Sequence, residues 1–233
     1  MMDSSLPVLM IVGFVIFAVA AVIFGLVQAA RRRQRFAEWA NKRGWAFSGS
    51  RKDYVFEHRY NFDCFARGER DRYAFNIVEG EARGRPMQAF DYHYATTSHN
   101  SKGGSQTHHH YFSAVMVKYA GPLKPLKIRR ETFFDKVANF FGRNAINFES
   151  AEFSKQFHVE APDRKWAYDV IHGRTMKLLM RSPAYEIQMQ GPWVIAAKKR
   201  TMDMPQFDKA IKVVNDLLDG LPQYVQQDMQ GSP

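Results

Sequence analysis

Leu6–Val27, LPVLMIVGFVIFAVAAVIFGLV, carries no charged residue and decides the architecture of the chain. An α-helix of this length spans roughly 33 Å, which matches the hydrocarbon core of a bilayer. A cleavable signal peptide needs a basic segment before a shorter apolar run, whereas Met1–Ser5 contains no Lys or Arg. A helix buried in a soluble core normally has a polar face, and this stretch has none. The sequence therefore predicts a transmembrane helix over residues 6–28.

Basic residues follow the apolar stretch and none precedes it. They are Arg31, Arg32, Arg33 and Arg35. The positive-inside rule places the flank that is richer in Lys and Arg in the cytoplasm. We therefore predict a single-pass protein of the cell (inner or plasma) membrane, with residues 1–5 as a short external tail and the main domain cytoplasmic. The four arginines can also contact the anionic headgroups of the lipid bilayer, a contribution of about 1 kcal/mol each.

The overall charge of the chain is strongly basic, at +10, and all of the Lys and Arg residues lie beyond residue 30. Such a charge also suits nucleic acid, but the sequence has no helix-turn-helix, zinc-finger or RNA-recognition signature, so a nucleic-acid partner is not expected. The single cysteine, Cys64, cannot form an internal disulfide, which fits a reducing compartment. An anionic membrane surface is the simpler partner for this charge.

Small residues recur every fourth position near the end of the apolar stretch, at Ala21, Gly25 and Ala29. Such a stripe lets two membrane helices approach closely, although the spacing also arises by chance in apolar segments. A homodimer through this helix-helix contact and a monomeric anchor therefore both remain open.

Residues 29–44 continue as a basic juxtamembrane helix that ends at Gly44. Phe36, Trp39 and Ala40 share one face of it. This helix could lie on the membrane surface or pack against the following domain, and the narrow apolar face favours packing.

The sequence from residue 45 to 225 predicts a soluble α+β domain. Alternation of period two predicts an antiparallel meander with one buried face up to about Ile128. The predicted strands are Trp45–Ser48, Tyr54–His58, Phe62–Arg67, Tyr73–Glu79, Met87–Thr96, His109–Tyr119 and Leu126–Ile128. Thr97–His108 is a predicted hairpin loop, and the prolines in Ala120–Pro125 predict a turn.

The C-terminal third contains most of the predicted helices. They cover Thr132–Phe141, a helix capped by Asp163 and ended by Gly173, a short helix around Met176–Met180, and Pro205–Leu218. Phe148–Val159 is expected to be irregular or a short strand, and a hairpin is predicted with its break at Gly191-Pro192. The domain is either one unit or two sub-lobes, 45–130 and 131–225, and residues 226–233 form a flexible tail.

Histidines are the first candidates for chemistry. His108, His109 and His110 are consecutive, and His93 lies on the preceding strand. If Thr96 pairs with His109, then His110 approaches His93 diagonally, and His93, His108 and His110 become candidate metal ligands. Neighbouring strand residues point to opposite faces, however, so the three consecutive histidines cannot converge on one ion, and a solvated hairpin is the preferred interpretation.

A hydrolase is the other chemical alternative, because Asp91 and His93 share a strand face and Ser113 lies on the next strand. The sequence lacks the Gly-x-Ser-x-Gly elbow, a phosphate-binding loop and a dinucleotide fingerprint. Cys64 is more typical of a small buried apolar residue than of a nucleophile. We assign no catalytic residue, no metal and no cofactor, and an enzyme is the less favoured class.

Three short motifs carry a resemblance to a known group. They are Ala40-Asn41-Lys42-Arg43-Gly44-Trp45, Phe90-Asp91-Tyr92-His93-Tyr94, and Phe153-x-x-x-Phe157-x-Val159 leading into Asp163. The chain resembles uncharacterised bacterial single-pass membrane proteins with a cytoplasmic domain of unknown function, over most of residues 36–225. The resemblance supports the predicted topology and implies no reaction, cofactor or active-site residue.

The sequence thus favours a membrane-anchored cytoplasmic domain of unknown biochemical function that serves as an interaction module. Its partner would be an unidentified protein or the membrane surface. The alternative is a membrane-bound metal-binding protein or hydrolase that uses the hairpin around His93 and His108–His110.

Overall fold

The computed structural model describes residues 5–53, 55–99, 103–130 and 146–225. Its first element is a single helix, α1 (Ser5–Asn41). The part Met10–Asn41 is long and apolar enough to cross a membrane, and the most apolar window of this part is not buried inside the structure. The helix is therefore compatible with the predicted membrane anchor. The predicted helix Thr132–Phe141 and the tail 226–233 lie outside the described residues.

An antiparallel sheet with packed helices follows α1, which confirms the predicted α+β class. The strands are β1 (Ala46–Ser48), β2 (Lys52–Asp53), β3 (Arg70–Ala82), β4 (Arg85–His99), β5 (Ser105–Arg130), β6 (Phe157–Glu160) and β7 (Glu186–Lys198). The helices are α2 (Val55–Arg59), α3 (Ala151–Gln156), α4 (Arg164–Val170), α5 (Gly173–Arg181) and α6 (Met204–Asp219). The sheet order is β1-β3-β4-β5-β6, with β2 paired to β3 and β7 paired to β5. Strands from both sides of residue 130 thus share one sheet.

Both faces of the sheet are covered, so the prediction of one buried face was wrong. One core contains the end of α1 and most of α6, and the other contains Phe56, Phe62 and Phe65 against Phe90 and Tyr92. The predicted strands Tyr54–His58 and Phe62–Arg67 were wrong for the same reason. Within the described residues, this aromatic segment forms α2 and a series of turns that cover the second face.

Strand β5 runs through the segment Ala120–Pro125, where a turn had been predicted. Its pairing with β7 shifts register between Lys118 and Leu123 and again between Leu123 and Leu126. These irregularities accommodate Pro122 and Pro125, because a proline cannot donate to a regular ladder. Gly191 lies opposite Leu123 with φ of +55°, so β7 continues through the predicted hairpin break with a local distortion.

The end of α1 is part of the domain core, which confirms that the juxtamembrane helix packs against the domain. Phe36 and Ala40 are fully buried, and the Phe36 ring lies 5.2 Å from that of Phe207. Trp39 Nε1 donates to Asp208 Oδ1 at 3.1 Å. The predicted C-terminal helix is confirmed as α6, which begins with a capping box in which the Asp203 carboxylate accepts from the backbone of Gln206.

Candidate functional site

The centre of the fold contains a buried carboxylate. Asp91 lies on β4 with no exposed surface. Arg32 on α1 donates two parallel hydrogen bonds to this carboxylate, from Nε to Oδ2 and from Nη2 to Oδ1, both of 2.7 Å. Asn76 Nδ2 donates to Oδ2 at 3.0 Å, and the Ser113 hydroxyl donates to Oδ1 at 2.6 Å. Four donated bonds satisfy the acceptor capacity of an ionised carboxylate.

A different structural feature positions each hydrogen-bond partner of Asp91. Asn76 has φ of +51° beside an irregularity in the β3–β4 pairing, and this bulge aims its amide at the carboxylate. Ser113 is the direct cross-strand partner of Asp91 on β5. The loop before α6 closes the network, because Met202 N–H donates to Ser113 Oγ at 2.8 Å and Met202 O accepts from Arg32 Nη2 at 2.9 Å.

This network joins the end of the apolar helix to the middle of the sheet. The side chain of Arg32 is only 27% exposed and that of Asp91 is fully buried. Removing one partner of such a pair leaves an uncompensated buried charge, at a cost of about 3–5 kcal/mol. The network therefore fixes the direction in which α1 leaves the domain.

The four predicted membrane-interface arginines do not point the same way. Arg32 faces the protein, whereas Arg31, Arg33 and Arg35 are exposed. None of these three has an ion-pair partner among the described residues. The stripe Ala21, Gly25 and Ala29 is exposed on α1, and its role in a homodimer remains a prediction.

The histidine hairpin has a register one residue away from the expected one. Thr96 pairs with His108 and His93 pairs with Tyr111, so the predicted pairing of Thr96 with His109 was wrong. His109 therefore lies on the face of His93, and its Nδ1 is 3.0 Å from His93 Nε2. His110 stacks on Tyr94, across the sheet from His93.

The candidate metal ligands consequently do not converge. His108 and His110 hydrogen-bond to Ser98 and Thr96, each at 2.9 Å, on the face opposite to His93. Within the described part of the chain, no group of three or more His, Cys, Asp or Glu residues could hold a metal ion. Burial lowers the pKa of His93, against the opposing effect of the bond from its ring to Asp71 O at 2.7 Å.

The hydrolase candidates are likewise arranged as a structural network. Ser113 hydrogen-bonds to Asp91 and not to His93. The two ring nitrogens of His93 instead form hydrogen bonds with Asp71 O and His109. The order serine–histidine–aspartate needed to activate a hydroxyl is therefore not formed. Cys64 is buried, as expected, and burial raises the pKa of its thiol.

The fold and this network define a domain that is built onto a long apolar helix. No family model and no curated protein matches the chain. Among solved structures, it is similar to the mycobacterial trehalose monomycolate transport factor A, with a TM-score of 0.53 and 16% identity over 83% of this chain and 96% of that one. At this identity the similarity shows a common fold.

Proposed function

We propose that this protein is a membrane-anchored accessory protein whose cytoplasmic domain serves as an interaction module at the surface of a bacterial inner membrane. Residues 1–5 lie outside, α1 crosses the bilayer, and the domain from residue 29 onward faces the cytoplasm. The distribution of Lys and Arg supports this orientation. We place the protein with the uncharacterised single-pass membrane proteins that its motifs resemble.

The continuity of α1 carries this proposal. One helix includes both the apolar stretch and the buried residues Phe36, Trp39 and Ala40, with Arg32 clamped to Asp91 between them. A flexible linker would let the domain sample many orientations, whereas a packed continuous helix holds it at one height and one angle. Such fixed presentation suits a protein that contacts a partner in or on the same membrane.

The structural neighbour supports an accessory role. That protein is described as a transport factor for trehalose monomycolate, a lipid. We infer that the present chain also assists a lipid-transport process by contacting the membrane or another protein. The similarity extends over most of both chains, so the proposal concerns the whole domain and not a shared fragment.

Two measurements on the full chain test this function. A reporter fused after Pro233 should be active only in the cytoplasm, and chemical crosslinking in cells followed by purification in detergent should recover a specific membrane-protein partner. Arg32→Met should keep the chain in the membrane fraction and lower the crosslinking yield, because the anchor persists while its fixed angle is lost. Reporter activity outside the cell, or recovery of the chain from the soluble fraction, would refute the proposal.

A further inference from the structure

We propose that Lys198, Lys199 and Arg200, together with the cavity beside them, form a binding site for the phosphate headgroups of anionic lipids. This proposal rests on the membrane attachment proposed above. It extends the expected headgroup contact from the arginines that follow the apolar helix to a loop far away in the sequence.

The strand directions place this loop on the side of the domain where the apolar helix enters, and the β4–β5 hairpin extends farther in the same direction. Helix α1 and strand β1 run in opposite directions. Arg33 lies against Gly49, Phe36 packs near Phe47, and Trp39 packs near Trp45. Strand β1 therefore runs toward the end of the domain where the apolar helix enters. Four successive antiparallel pairings, β1–β3, β3–β4, β4–β5 and β5–β7, give β7 the same direction as β1. The C-terminal end of β7 consequently faces the membrane.

The hydrogen bonds and strand pairings also show which residue of α1 lies beside the loop. Asp91, Ser113 and Lys198 are cross-strand partners in one row of the sheet, and Arg32 binds Asp91 in that row. The loop is also tied to Arg32 directly through Met202 O. Arg32 follows Val27, the end of the apolar stretch, by about 7.5 Å of helix, which is close to the thickness of the headgroup layer on one side of a bilayer.

The charges at this position are not neutralised by the protein. Lys199 and Arg200 are exposed and Lys198 is half-buried, and none of the three has an ion-pair partner among the described residues. The nearest acidic residue in sequence, Asp203, is already engaged as the N-cap of α6. Charges of this kind, within a Debye length of about 8–10 Å from a surface, retain their attraction for anionic lipids.

The loop borders a cavity of about 350 Å³ that is also lined by Arg129, Arg130 and Tyr185. The one acidic residue that lines this cavity, Glu186, forms an ion pair with Arg67. Arg130 donates through Nη2 to Ser182 O at 3.1 Å, while its buried Nε has no hydrogen-bond partner within the described chain. The cavity therefore offers room for a phosphate group that enters from the loop, and positive charge from Lys199, Arg200 and the Nε of Arg130 that is unpartnered among the described residues.

The test uses the full chain in lipid nanodiscs with a fluorescent NBD label at the exposed position Thr201→Cys. Cys64 is buried and stays unlabelled, as the unsubstituted chain will show. The discs contain a headgroup-quencher lipid and either phosphatidylcholine alone or a mixture with phosphatidylglycerol. Because α1 already holds the loop near the headgroup layer, we expect some quenching in phosphatidylcholine alone. We expect stronger quenching with phosphatidylglycerol, and this difference should shrink as salt is added.

The matched variants are K199Q/R200Q and K177Q/K209Q. Each cation near an anionic surface contributes a factor of about five, so K199Q/R200Q should lower the docking equilibrium constant about 25-fold. Lys177 and Lys209 are also exposed. However, Lys209 follows Asp208, which binds Trp39 and Arg43 farther from the membrane, and Lys177 lines a cavity together with Lys209. K177Q/K209Q should therefore leave docking unchanged.

Three results would overturn the proposal: quenching that is independent of phosphatidylglycerol, equal losses in the two variants, or a response to inorganic phosphate in phosphatidylcholine discs at constant ionic strength. The last result would identify a soluble phosphate as the ligand. Equal thermal unfolding of the labelled chains excludes misfolding as a cause. Failure of the chain to enter discs at all would instead refute the membrane attachment.

Discussion

Arg32 and Asp91 are 59 residues apart in sequence and form a bidentate ion pair with two bonds of 2.7 Å. One partner belongs to the helix that carries the apolar stretch, and the other lies at the centre of the sheet. The apolar helix and the domain are therefore parts of one folded unit. A change in the apolar part of α1 would act on the loop at Met202 through the same guanidinium.

Replacing Arg32 by Met should destabilise the domain by about 3–5 kcal/mol, because the carboxylate of Asp91 would stay buried without its cation. Chemical unfolding of the full chain in detergent, followed by tryptophan fluorescence, measures this change. Arg31→Met is the control, since Arg31 is exposed and should change stability by no more than about 0.5 kcal/mol. Equal effects of the two substitutions would contradict the clamp.

Phe36→Ala should cost about 3–5 kcal/mol, because the ring is fully buried against Phe207 and Phe47. Phe14→Ala, on the same helix, removes a ring that is 71% exposed in the structure and should leave the unfolding of the domain unchanged. The same denaturation assay compares the two. Should Phe36→Ala behave like Phe14→Ala, the helix would lie on the membrane and not in the core.

The pH dependence of stability should contain a contribution from His93. Burial lowers the pKa of this side chain in the folded state, so the unfolded chain binds more protons below the ordinary histidine pKa of 6.5. The contribution is complete above pH 6.5 and is lost as the pH falls from there toward the folded-state pKa. His93→Gln should flatten the stability curve in this window, whereas His108→Gln, at an exposed position, should not. A parallel loss of stability in both variants would contradict this origin.

The residues that the sequence identified well are those whose pattern is local. The apolar run of α1, the alternation of Phe90, Tyr92 and Tyr94, and the stripe of α6 each indicate their helix or strand from neighbouring residues alone. The acidic residue within the alternating stretch, Asp91, was a further signal, because it indicated a buried polar contact. Asp91 had to meet a cation if its face was buried, although the sequence alone could not tell which arginine would reach it.

The errors came from features that only long-range packing decides. The aromatic run from Tyr54 to Arg67 has strand-like composition, but its described part, from residue 55 onward, forms α2 and turns because it covers the second sheet face. The hairpin register differed by one residue because the loop length, and not the hydrophobic pattern, fixes the pairing of polar strands. Because of this one-residue difference in register, His109 lies next to His93 and His110 lies on the opposite face of the sheet.

Ser113→Ala should loosen the loop at Met202 without unfolding the domain. The hydroxyl donates to Asp91 Oδ1 and accepts from Met202 N–H, so its loss leaves a buried amide unpaired and removes one bond to the carboxylate. A cost of about 1–3 kcal/mol is expected for an unsatisfied buried group. Hydrogen exchange of the full chain in nanodiscs should show faster exchange at residues 199–203 and unchanged exchange in α6. Ser98→Ala, at an exposed position of the hairpin, is the control. If exchange in the loop stayed slow in Ser113→Ala, the loop would be held by contacts other than this network, and its fixed position beside Arg32 would need another cause.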